Sequence, residues 1–81
     1  MSPASATQRR ERAIIAALHV SDRPLTVAEL CKRAAQLGPD APQIPPTVRR
    51  MLTSGALQVA PGQQHGVRFR HLYVMLPHGN D

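Results

Sequence analysis

The amino-acid sequence predicts an α+β domain: three helices followed by a two-stranded antiparallel hairpin. Three observations lead there. Apolar residues recur at helical spacing through the first two thirds of the chain, the period drops to two after Gly55, and helix-capping or helix-breaking residues stand at the boundaries. With 81 residues the chain is one small domain, burying only about 60–65% of the surface its unfolded form exposes.

Residues 1–6 are expected to form a disordered tail and residues 7–20 a first helix, with Ser5 and Gln8 spaced for a capping box. Ile14, Ile15 and Leu18 fall within about 100° of one another on a helical wheel, a narrow apolar stripe opposite Arg9, Arg12 and His19. Pro24 cannot continue that helix, and Leu25 reads as one short extended rung. Thr26 and Glu29 then make a capping box for a second helix running to about Gln36. Its apolar face holds Val27, Leu30, Cys31, Ala34 and Leu37, and Gly38 stands where a terminating glycine belongs. Residues 39–46 carry four prolines and form a stiff connector; Pro45 or Pro46 suits the first turn of a third helix, which stops at Gly55. Leu57 and Val59 begin the hairpin, Pro61-Gly62 turns it, and residues 67–76 return as the second strand. A polar tail, residues 77–81, follows.

Charge is the strongest global signal. Ten basic residues face five acidic ones, for a net charge of +5, and nine of the ten are arginine. Arginine carries a rigid planar fork matched to phosphate oxygens and guanine edges. Other functions find little support. The lone Cys31 excludes an intramolecular disulfide and reads as a small buried hydrophobe, and the four histidines show no metal-ligand spacing with it. No apolar run reaches the roughly 18 residues that span a bilayer, and no hydrophobic leader precedes the first charges, so a cytoplasmic protein is expected. A core with only Phe69 and Tyr73 as aromatics leaves little room for a reaction chamber of roughly 300–1,000 Å³. No phosphate-cradling glycine loop or nucleophile–base set is present. The chain is therefore expected to be a binding module, not an enzyme, and to need no cofactor.

The third helix is the most informative segment. With Val48 at the centre of its inward face, Ile44, Met51, Leu52 and Gly55 lie nearby, while Gln43, Pro46, Arg49, Arg50 and Thr53 collect outside. None of these outward residues is acidic. A helix entering a DNA major groove about 12 Å wide needs such a stripe of donors without a repelling carboxylate.

The run Ile44…Val48-Arg49-Arg50-Met51-Leu52-Thr53-Ser54-Gly55-Ala56-Leu57 resembles the third helix and following strand of bacterial winged helix-turn-helix regulators. Residues 24–30 are similar to the start of that family's second helix, and residues 57–76 to its wing; the resemblance spans residues 7–76. It implies a three-helix winged helix-turn-helix with a C-terminal two-stranded antiparallel wing, acting as a DNA-binding transcription regulator of bacterial or phage origin. It also implies that Gln43, Thr47, Arg49, Arg50 and Thr53 face the major groove. Arg68 and Arg70 then lie near phosphates or the minor groove, and Arg9, Arg10 and Arg12 touch the backbone. Seven of the ten basic residues thus fall on elements turned toward a duplex. Two features depart from the family. The proline-laden connector exceeds its usual turn of about four residues, and the wing tip, Gln63-Gln64-His65, lacks the arginine that deep minor-groove insertion would use. The implied partner is double-stranded DNA, with a homodimer as one mode of binding. The alternative is a winged-helix protein–protein module, an adaptor or inhibitor of a nucleic-acid-binding complex. The narrow stripe of the first helix argues against a membrane role.

Overall fold

A computed structural model describes residues 3–38, 41–63 and 66–77, and side chains from residue 6 onward. The expectations for Pro39, Gln64, His65, the tail beyond Pro77 and the Ser5 side chain lie outside that description. Three helices pack around one core and carry a small three-stranded antiparallel sheet: α1 (Pro3–Ser21), β1 (Leu25–Thr26), α2 (Val27–Ala35), α3 (Ile44–Ser54), β2 (Gln58–Val59) and β3 (Tyr73–Met75). Short 3₁₀ turns precede α3 (Ala41–Gln43) and β3 (Phe69–His71).

α1 begins four residues before the expected start, so residues 3–6 are helical rather than a loose tail, and Ser5 lies inside the helix instead of capping it. A proline is tolerated in a first turn because its missing N–H would be unbonded there anyway, and Ala4 and Ala6 are strong helix formers. The buried stripe is Ala13, Ile14, Ala17 and Leu18; Ile15, expected inside, is 40% exposed. Small alanines let α1 approach α2 and α3 closely, and Ile15 falls just past the contact arc. The helix ends where Asp22 turns left-handed (φ 53°), a conformation aspartate tolerates better than most residues, with its N–H bonded to the Leu18 carbonyl at 3.1 Å.

Thr26 caps α2 as expected: its hydroxyl accepts from the Glu29 N–H at 3.2 Å. The reciprocal half of the capping box is replaced. The Glu29 carboxylate turns outward to Arg33 (3.2 Å) and Arg23 (3.6 Å). Val27, Leu30 and Ala34 are buried, Cys31 is half-buried, and Leu37 lies beyond the helix, exposed. Desolvation at its half-buried position raises the Cys31 thiol pKa above its ordinary value.

Both Pro45 and Pro46 sit in the first turn of α3, which ends at Gly55 in a left-handed conformation (φ 90°). The Leu57 N–H then bonds back to the Met51 carbonyl at 3.1 Å, which directs the chain into β2.

The sheet differs from the expected hairpin of two long strands. It has three short strands in the order β1-β3-β2, because Leu25 is a true rung that pairs with Val74. On its other side β3 pairs with β2, Val59 opposite Val74 and Gln58 opposite Met75. Val74 is fully buried, as is Leu25 beside it. Residues 67–72 are not strand. Leu72 and His71 return N–H bonds to Phe69 and Arg68 at 3.1 and 2.9 Å, closing a tight turn, and the Leu72 carbonyl accepts from Val27. Phe69 and Leu72 pack against the core from this turn, an anchorage that an alternating strand would not provide.

Candidate nucleic-acid interface

Helical geometry divides α3 cleanly. Ile44, Val48 and Met51 are fully or almost fully buried, and Arg49, Arg50 and Thr53 are exposed. Gln43 is exposed at the N-cap, where its side chain makes no capping bond. The Thr53 hydroxyl donates to the Arg49 carbonyl at 3.1 Å, leaving its lone pairs outward.

Thr47 corrects the expectation. Rather than facing a groove, it is 1% exposed, and its hydroxyl donates to the Gln43 carbonyl at 2.7 Å. The reason is angular. At 100° per residue the buried arc centres between Ile44 and Met51, about 50° from Val48 on the side of Thr47, so Thr47 falls just inside it. It is withdrawn as a groove-facing residue.

Phe69 organises the face. The Arg49 guanidinium lies over its ring, 4.2 Å from the centroid. Such stacking holds a long cation in one orientation. Because Phe69 sits between Arg68 and Arg70, the contact also sets those two exposed arginines beside α3. Two open concavities flank the turn. One, of about 470 Å³, has mainly apolar walls from Pro45, Pro46 and Phe69, rimmed by Arg49, Arg50 and Thr53. The other, of about 610 Å³, includes Arg68, His71, Tyr73 and Gln63, with the Gln63 side-chain Oε1 accepting from the Tyr73 N–H at 3.4 Å.

Among the described residues the ion pairs are Arg23–Glu29 and Arg33–Glu29, both on the α2 side. No described carboxylate pairs with Arg49, Arg50, Arg68 or Arg70. The arginines of α1 stand apart: Arg9 and Arg12 are exposed, while Arg10 is half-buried and donates to Thr7 at 3.5 Å. No described bond links them to the α3 face.

Sequence reasoning placed Pro46 on the outward side of α3 and missed two participants: Phe69 as the support of Arg49, and Pro45 as an apolar wall beside Pro46. An aromatic residue between two arginines was a usable signal for the first, hidden by the β-like composition around it. No described helix is long and apolar enough to cross a membrane. In comparisons with known proteins, no family model matches the chain, and no curated protein or solved structure does so.

Proposed function

We propose that this domain is a winged-helix DNA-binding transcription regulator, with α3 in the major groove and the segment between β2 and β3 resting on the phosphate backbone. The observation that carries the reading is that Arg49, Arg50, Arg68 and Arg70, on α3 and on the turn whose Phe69 lies under Arg49, are all exposed and have no carboxylate partner among the described residues. Four guanidinium groups that meet no described carboxylate suit a polyanion, because each neutralised phosphate releases condensed counterions. The 11 residues of α3 span about 16 Å, a length and width that a major groove admits. The apolar hollow beside Arg49 suits base edges, and the second hollow, with Arg68, His71 and Gln63 in its lining, suits the sugar-phosphate chain.

If each of the four arginines meets one phosphate or displaces one counterion, log Kobs falls with log salt at a slope of about −3.6. A fourfold rise in salt then weakens binding about 150-fold. The double variant Arg49→Glu with Arg50→Glu tests the assignment by mobility shift on duplex DNA. Both side chains are exposed, so the variant keeps the wild-type circular dichroism spectrum, and its binding is abolished. Undiminished binding by a folded variant removes α3 from the interface.

A further inference from the structure

Building on the DNA-binding reading, we infer that the hollow beside Arg49 reads a pyrimidine bearing a C5-methyl group, thymine or 5-methylcytosine, next to a guanine. A guanidinium has two faces and an edge of N–H donors. One face of Arg49 is taken by the Phe69 ring at 4.2 Å, while the residue as a whole stays exposed and meets no described carboxylate. The stack fixes the plane of the fork. A planar fork held in this way presents two parallel donors, the pattern matched by the O6 and N7 acceptors of guanine in the major groove.

The walls next to that fork are Pro45, Pro46 and Phe69. They offer carbon surface and no backbone N–H from the two prolines, so they suit an apolar group on a base edge better than a hydrogen-bonding one. In the major groove the group that meets this description is the pyrimidine C5-methyl. Arg49 and the hollow share one opening, so the base contributing the methyl lies beside the guanine. Arg50 and Thr53 rim the same opening and suit the adjoining phosphates.

The test uses the full chain and four 20-base-pair duplexes in fluorescence anisotropy at fixed salt. The first carries repeated TG steps, and the second has every thymine replaced by deoxyuridine. The third and fourth carry CG steps with cytosine or 5-methylcytosine. Burying one methyl group is expected to tighten binding about three- to fivefold within at least one pair. A gain confined to one pair identifies thymine or 5-methylcytosine as the base read, and a gain in both shows that the methyl alone is sensed. Arg49→Lys retains the charge and loses the two parallel donors, so it binds all four duplexes more weakly, while the methyl-dependent gain, which rests on Pro45, Pro46 and Phe69, persists. Equal binding within both pairs by the wild-type chain overturns this inference and leaves DNA binding standing. Binding to none of the four overturns the DNA-binding reading itself, and the inference with it.

Discussion

Replacing Phe69 by leucine perturbs the cation–π contact between the turn before β3 and α3. Leucine keeps most of the aliphatic packing of this half-buried position and removes the π face under Arg49. At an exposed site a cation–π contact stabilises by about 0.5–1 kcal/mol. A double-mutant cycle isolates it, with wild type, Arg49→Ala, Phe69→Leu and the double variant each unfolded in urea and followed by circular dichroism. With a denaturant slope near 1 kcal/mol per molar for so small a domain, the coupling appears as a shift in midpoint of roughly 0.5–1 M. DNA binding responds to the same change. Freeing the Arg49 side chain restores rotamer entropy that binding must then remove, about 0.5–1.5 kcal/mol, or about two- to thirteenfold in Kd. Strictly additive stability effects, with Phe69→Leu binding DNA as wild type does, would refute the claim that the ring positions Arg49.

Three further outcomes follow from the fold. Thr47→Val keeps the shape of a buried side chain, and the Gln43 carbonyl retains its helical partner; stability changes by less than about 1 kcal/mol and DNA affinity by less than about twofold. A tenfold loss of affinity at unchanged stability would return Thr47 to the interface. Gly55→Ala has open space for its methyl group, so its cost is the left-handed backbone alone, about 1–2 kcal/mol, read as a fall in Tm of roughly 4–16 °C. Because burial raises the Cys31 pKa, a smaller fraction is thiolate at any given pH, and its reaction with a disulfide reagent at pH 8 is slower than that of a free cysteine; an equal or faster rate contradicts the burial.

Local signals made much of this fold legible. Thr26 with Glu29, the prolines opening α3 and Gly55 at its end each mark a boundary through backbone chemistry that depends on no distant partner. Arg49, Arg50 and Thr53 were legible for the same reason, since helical periodicity alone puts them opposite Ile44, Val48 and Met51. What was lost depended on tertiary contacts. Thr47 sits at the edge of the buried arc, where a shift of half a residue in the chosen centre reverses the assignment. The pairing of Leu25 with Val74 joins residues far apart in the chain, and nothing near Leu25 announces it. The alternation Val67, Phe69, His71 mimics a strand, yet the need to pack Phe69 against the core and under Arg49 draws that segment into a turn.

The account's central claim concerns which face meets DNA, and amide chemical shifts of the ¹⁵N-labelled chain titrated with a short duplex report on it most directly. The largest changes are expected on α3 from Arg49 to Thr53 and on the turn from Arg68 to His71, with the α2 face of Glu29, Lys32 and Gln36 nearly still. Changes concentrated on that α2 face, or around Ile15 and Val20 of α1, would contradict it.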